Sequence, residues 1–440
     1  MARLNFIKGD KKVMHAWAFY DWANSVYSLV ISSAIFPIFW GAITINKETG
    51  YDLVEVFGFL LNNEAVITYT TGIAIFIVVI LSPILSGVAD YTGNKKFYLK
   101  LFCYLGGLSS IALYFFDHIN YMELSLFFYL TAIVGFWCSL VFYNSYLPDI
   151  APAEIHDKLS AKGFSLGYLG AVILLLISLV LVMKYQWFGI ENELEGMKIS
   201  FALVGVWWIS FSQYTYKYLP DFKNDKKVTK VILLNGYNEL LKIWKQIKEH
   251  VILKKYLGAF FVYSMGVQTV MLVATYFGVE EIEWGKGGAT LGLIISILLI
   301  QIIAIGGAYL TSFYANKFGN ISVLIVLNLI WVGICVCAYF IHTPIEFYVT
   351  ASFVGLVMGG IQSLSRSTFS KYIPENTLDT TSYFSFYDVS EKIGIIIGMF
   401  LYGYVVDVTG SSRFAILFFV AFFVLGCILL CRITKNIKID

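Results

Sequence analysis

The chain alternates long, unbroken apolar runs with short polar stretches. The runs lie near 16–42, 65–87, 97–116, 122–147, 163–184 and 198–218, then near 255–278, 289–314, 321–341, 346–364, 383–407 and 413–431. A helix rising about 1.5 Å per residue needs about 20 such residues to cross a hydrocarbon core about 30 Å thick. Continuous runs, rather than alternating ones, exclude a transmembrane β-barrel. The pattern therefore predicts an all-α integral membrane protein with 12 transmembrane helices, six on each side of a polar segment. The expected division is an N-terminal six-helix half (1–218), a middle loop (219–254) and a C-terminal six-helix half (255–440).

The middle loop has a helical pattern of its own. Leu233, Tyr237, Leu240, Leu241, Trp244, Ile247 and Val251 recur on one side, with Lys242, Lys245 and Lys248 mostly on the other. This predicts an amphipathic helix lying at the cytoplasmic interface, its lysines near anionic headgroups.

Composition agrees with lipid as the solvent. Of 440 residues, 58% are hydrophobic and 14% charged, against about 25% charged in a soluble domain. The net charge of +2 and the absence of a basic tract interleaved with aromatics argue against nucleic acid as a partner. The six cysteines lie in apolar runs without metal-ligand spacing and read as packing residues. No metal or cofactor is expected. No GxxxxGK[ST] loop is present, which excludes ATP as the energy source. No nucleophile–base arrangement stands in a soluble pocket, so the chain does not read as an enzyme. The five histidines fall at helix ends or in loops and read as mostly solvated.

Twelve crossings put both termini on one side. With the N-terminus inside, inner segments hold 25 of the 31 Lys and Arg, and outer loops hold Lys47, Lys184, Lys198, Lys286 and Arg413. The excess marks the cytoplasmic side, so both termini are expected in the cytoplasm.

A tight turn recurs half a chain apart. Ala315-Asn316-Lys317-Phe318-Gly319-Asn320 matches Ala89 to Asn94 at an offset of 226, which suggests an internal duplication of the kind that builds many transporters. With Gly87, Asp90, Gly93, Lys95 and Lys96, the first copy resembles the signature loop of the major facilitator superfamily. The resemblance implies a cytoplasmic gate in which these residues help latch the two halves. The second copy has Asn316 where an acid would stand.

Further blocks narrow the resemblance. They are Trp17 to Ser25 with Phe36-Pro37, Phe142 to Asp149, Ser160 to Gly170, Gly360 to Ser367, and Phe386-Tyr387 with Lys392. Together they resemble the vacuole-effluxer-like branch of that superfamily, relatives of which are fungal vacuolar amino acid effluxers. The resemblance implies export or exchange of small metabolites.

A charge in the membrane interior needs a partner or a wet cavity. Lys392 sits about nine residues, or about 14 Å, into the eleventh run, with Asp388 four residues earlier and Glu391 adjacent. A structural ion pair, a substrate or coupling site, and snorkelling remain open. In the first run Asp21, Asn24, Ser25, Ser28 and Ser32 share a face that lipid would reject. It points either to interhelical hydrogen bonding or to a cavity. Tyr143 and Asn144 in the fourth run and Gln362 and Arg366 in the tenth occupy equivalent places in the two halves. Arg366 also reads as an interfacial topology anchor. Gln268, Thr269 and Gln301 are weaker candidates of the same kind.

The expectation is a secondary active transporter working by alternating access, with a small-molecule substrate in a central cavity between the halves. Amino acid export or exchange coupled to protons is the leading form, in a monomer of the cell membrane (the vacuolar membrane in a fungus). The alternatives are a proton- or cation-coupled sugar or drug transporter, and a non-transporting receptor or lipid-handling protein of the same fold.

Overall fold

The computed structural model describes residues 7–44, 53–116, 120–222, 230–285, 288–375 and 377–437, with side chains except at 230–237, 239–240 and 435–437. Lys47, His118 and Lys286, and the side chains of Leu233, Tyr237 and Leu240, thus lie outside the described residues. The membrane-crossing helices are α1 Lys11–Thr44, α2 Asn63–Thr92, α3 Lys95–Phe115, α4 Met122–Ile150, α5 Ala153–Met183 and α6 Glu193–Tyr218. After α7 (Lys230–Glu249) come α8 Val251–Glu281, α9 Ala289–Phe318, α10 Asn320–Phe340, α11 Pro344–Tyr372, α12 Thr380–Thr409 and α13 Ser412–Thr434. Among the described residues, 12 helices are long and apolar enough to cross a membrane, as the apolar runs predict.

Helix ends depart from the predicted runs where polar residues continue the turn. The run expected near 163 is the later part of α5, which begins at Ala153 and carries His156, Asp157, Lys158 and Lys162 first. His156 is buried rather than solvated, its Nε2 2.9 Å from the Ala151 carbonyl oxygen. Hydropathy cannot register such turns, because their residues are polar whether they are buried, as His156 and Asp157 are, or exposed, as Lys158 is.

The fold also departs from all-α. Strands β1 (Leu53–Val56) and β2 (Phe59–Asn62) pair antiparallel, with Val56 opposite Phe59. Phe57 (φ 52°) and Gly58 (φ 79°) turn between them, both in the positive-φ region that a tight two-residue hairpin requires. The Phe57 N–H donates to Glu123 Oε1 at 2.9 Å, fastening the hairpin to the start of α4.

The first helix changes pitch. Asp10 caps α1 by accepting from the Lys12 and Val13 N–H groups at 2.8 and 3.0 Å. Tyr27–Ile35 is wound as a π-helix, a rare form enriched at functional sites. Pro37 follows directly, with no N–H to give and a ring that crowds the preceding turn. The Ser33 hydroxyl donates to the Ser28 carbonyl at 2.9 Å within the widened turns.

The chain forms two compact units, 1–144 with 169–237 and 145–168 with 238–440. In the first, Trp207 Nε1 donates to the Trp22 carbonyl at 3.2 Å and the rings stack at 5.4 Å, tying α6 to α1. In the second, α9 and α11 approach backbone to backbone: a methyl carbon on Gly355 or Gly359 would stand 2.5 Å from the Ile300 or Ala304 carbonyl oxygen. Small residues permit that approach, and close van der Waals packing then replaces the hydrophobic drive that lipid does not supply. The same unit seats α7 on α12. Ile243 and Ile247 are buried, Trp244 stacks on Phe386 at 5.8 Å, and Tyr383 Oη donates to Gln246 Oε1 at 2.9 Å. Lys242 Nζ reaches Asp379 Oδ2 at 3.2 Å.

Candidate functional site

In the second unit α12 carries a cation enclosed by protein. Lys392 is 0% exposed; its Nζ lies 3.1 Å from Asp388 Oδ1 and 2.9 Å from Glu391 Oε2. Spacing of i and i+4 brings Asp388 and Lys392 to one face, and Glu391 reaches across from the adjacent position. Gln268 Nε2 on α8 donates to Glu391 Oε1 at 2.7 Å, so one of the weaker sequence candidates joins the cluster. Two carboxylates and one ammonium carry a formal charge of −1. Burying ions is unfavourable unless they are paired and hydrogen-bonded, and removing one partner of such a pair costs about 3–5 kcal/mol.

Tyrosines line the α8 and α11 side of this region. Tyr263 Oη lies 2.7 Å from Ser365 Oγ, and Tyr256 Oη donates to the Ser365 carbonyl at 2.9 Å. Tyr387 stacks on Phe260 at 4.1 Å.

One turn apart on α11, Gln362 and Arg366 both face the first part of α5. Tyr168 Oη donates to Gln362 Oε1 at 2.8 Å. Arg366 Nε donates to Ser160 Oγ at 2.9 Å and Nη2 to the Ser160 carbonyl at 3.0 Å, with the guanidinium 4.2 Å from the Phe164 ring centroid. At 2% exposure Arg366 is enclosed by protein. This corrects its reading as an interfacial anchor: the neighbours that satisfy it belong to α5, not to headgroups.

A second charged cluster was not expected. Lys371 Nζ lies 2.5 Å from Asp157 Oδ2, and Asn320 Nδ2 donates to Asp157 Oδ1 at 2.8 Å and to Thr368 Oγ1 at 2.9 Å. Lys371 also donates to Asn320 Oδ1 at 3.2 Å. Asn320 closes the second copy of the repeated turn, whose Asn316 is exposed. The second copy thus engages α5 and α11 through its last residue.

In the first unit, Tyr143 Oη donates to Asp21 Oδ2 at 2.8 Å, a hydrogen bond to a charged group worth about 1.5–3 kcal/mol. Trp17 holds the same residue twice, stacking on its ring at 4.6 Å and donating from Nε1 to its carbonyl at 2.8 Å. Asn24, one turn beyond Tyr20, is 1% exposed, and its Nδ2 has no hydrogen-bond partner among the described residues. Asn144 ends the regular part of α4, before the turn at Ser145-Tyr146.

The first repeated turn caps α2. Gly93 is left-handed (φ 66°), where an L side chain would be strained. Its N–H reaches the Asp90 carbonyl at 3.4 Å, and the Asn94 N–H reaches that of Ala89 at 3.0 Å, the paired bonds of a Schellman cap. Lys96 Nζ donates to the Leu219 carbonyl at 2.8 Å. Lys95 is buried, 5.1 Å from the Phe222 ring centroid. Both lysines thus grip the chain leaving α6. Gly87 is buried within α2, three residues before Asp90.

Asp157, Ser160, Tyr168, Tyr256, Tyr263, Asn320 and Lys371 were missed as site residues. The charged ones stand at polar ends of apolar runs, where sequence alone reads solvation. The tyrosines look like ordinary span residues until their hydroxyl partners are known.

Residues 9–438 match the family described as vacuole effluxer Atg22 like. The chain is 31% identical over 435 residues to the uncharacterized MFS-type transporter YxiO of Bacillus subtilis, across 99% of this chain and 97% of that relative. It is 26% identical over 432 residues to autophagy-related protein 22 of Saccharomyces cerevisiae, across 85% and 80% of the two chains. Among solved structures, the major facilitator transporter FucP in its outward conformation matches with a TM-score of 0.68 at 15% identity, covering 97% of this chain and 99% of that one. The proton:xylose symporter XylE matches at 0.69 and 12% identity, across 96% and 95%. Identities this low speak for a common fold alone.

Proposed function

This chain belongs to the vacuole effluxer Atg22-like family of major-facilitator-type membrane transporters, and from that premise we propose that it is a secondary active transporter exporting or exchanging amino acids. It is a multi-pass integral membrane protein with a small-molecule substrate. Solute crosses by alternating access, both termini face the cytoplasm of a cell membrane, and the monomer is the working unit. Gly87, Asp90, Gly93, Lys95 and Lys96 form a cytoplasmic gate.

The observation that carries the reading is Lys392. It lies twelve residues, about 18 Å, into the thirty-residue α12, without exposure and between two carboxylates. Burial of ions at that depth supports a site that binds cargo, couples an ion, or does both. Among cargoes, amino acids suit this site and are supported by the resemblance to fungal vacuolar effluxers. An amino acid brings one ammonium and one carboxylate, chemistry that a lysine with two acids and neighbouring amide and phenol groups can meet. Asp21, Asn24, Tyr143, Asn144, Gln362 and Arg366 are the further candidates for contact with it.

A binding screen tests the proposal. A ligand that binds only the folded protein stabilises it by RT ln(1 + [L]/Kd), about 2.7 kcal/mol at 100 times Kd. Purified protein heated in detergent with each of the common amino acids should therefore gain stability with some of them. The gain should vanish in Lys392→Ala. Stabilisation by sugars or nucleosides, with none by any amino acid, would overturn amino acids as the cargo.

A further inference from the structure

We propose that Asp388 is the proton carrier of the α12 cluster, and that Glu391 is the fixed counter-charge of Lys392. The proposal rests on reading that cluster as a coupling site and goes beyond it by assigning the proton to one oxygen. The assignment comes from counting donors. Glu391 has both oxygens satisfied, Oε1 by Gln268 and Oε2 by Lys392. Asp388 has one: Oδ1 accepts from Lys392, whereas Oδ2 is buried with no hydrogen-bond partner among the described residues. Buried polar atoms in folded proteins are nearly always paired, so such an exception needs a cause.

Protonation supplies one. A proton taken from water by Asp388 Oδ2 breaks no existing hydrogen bond and turns that oxygen from an acceptor into a donor. It brings the cluster from a formal −1 to neutral. A proton placed on Glu391 would instead add to an oxygen that already accepts from Gln268 or Lys392, weakening that bond. Ser385 stands one turn earlier on α12, 0% exposed, and its Oγ likewise has no partner among the described residues. The two unsatisfied oxygens are three residues apart on the same helix, which places them on one face.

Charged and titratable groups also stand around the cluster on neighbouring elements. From α8 the titratable group that feels Glu391 is Tyr263. Tyr387, on α12 itself, feels Glu391, Asp388 and the Arg366 guanidinium of α11. Arg366 is engaged with Ser160, and the α7 cation Lys242 is engaged with Asp379 at the start of α12. At the far end of the helix, Arg413 of α13 pairs with Glu281.

Infrared difference spectroscopy on the full-length protein in lipid, between alkaline and acidic buffer without any cargo, reads the proton directly. A carboxylic acid in a dry, weakly hydrogen-bonded place gives a carbonyl stretch at the high-frequency edge of the carboxyl region. The wild type should gain one such band on acidification. Asp388→Asn should lose it, Glu391→Gln should keep it, and Asp388→Glu should keep it at a shifted frequency, which separates loss of the acid from loss of the fold. A band retained in Asp388→Asn and absent in Glu391→Gln would reverse the assignment, and no titrating band in the wild type would end it. Because no cargo is used, the outcome is independent of whether amino acids are the substrate.

Discussion

Replacing Lys371 with methionine keeps the length and apolar stem of the side chain but removes the ammonium 2.5 Å from Asp157. The Asp157 side chain is 1% exposed and, among the described residues, would keep only Asn320 Nδ2, a neutral donor at 2.8 Å. Stripping one partner from a buried pair costs about 3–5 kcal/mol, because the other charge is stranded out of water. Lys371 is 24% exposed, so solvent already screens part of the attraction and the expected loss falls to about 2–3 kcal/mol. Asp157→Asn/Lys371→Met removes the stranded charge as well. The double variant should therefore be more stable than Lys371→Met alone, with a coupling of about 1–2 kcal/mol between the sites. Unfolding by SDS in mixed micelles, followed by loss of helical circular dichroism and extrapolated linearly, gives all four corners of the cycle. A Lys371→Met protein within about 0.5 kcal/mol of wild type, the range of an ordinary surface change, would refute the view that this cluster fastens α5 to α11. Strict additivity of the two single changes would refute it equally.

Three other outcomes follow from the same physics. Lys242→Ala breaks a pair whose lysine side chain is 52% exposed, so the same titration should register no more than about 1 kcal/mol; a loss as large as that of Lys371→Met would contradict the ranking by burial. Tyr143→Phe keeps the stack on Trp17 but removes the donor to Asp21, and should cost about 1.5–3 kcal/mol, falling to about 0.5–1.5 kcal/mol in an Asp21→Asn background, where a neutral amide oxygen accepts instead. Gly355→Val drives carbon into the Ile300 carbonyl; overpacking of about 1–3 kcal/mol or more should appear as a loss of the monodisperse peak in detergent chromatography, and an unchanged peak and melting point would show that α9 and α11 can move apart there.

The sequence makes legible whatever depends on one stretch of chain. Twelve crossings were readable because hydrocarbon tolerates only long uncharged runs. The Asp388–Lys392 pair was readable because i and i+4 share a helix face. The turn ending in Gly93 was readable because its residues are contiguous. What stayed hidden depends on residues far apart in sequence. Nothing near Asp21 announces Tyr143, 122 positions away, and nothing near Glu391 announces Gln268, 123 away. Asp157 and Lys371 look like the solvated charges that flank any membrane helix, until α5 is seen to extend past its apolar run. The hairpin escaped because its turn is Phe57-Gly58 rather than an Asn-Gly or Asp-Gly pair. The π-wound stretch of α1 has only Pro37 to hint at it.

Counterflow tests the central claim most directly. Proteoliposomes loaded with a mixture of unlabelled amino acids are diluted into trace radiolabelled ones, beside empty liposomes and vesicles holding Lys392→Ala. The account predicts saturable label uptake by the wild-type protein alone, rising and then decaying as the internal pool equilibrates. No uptake above empty liposomes by well-folded protein, or uptake undiminished in Lys392→Ala, would contradict it.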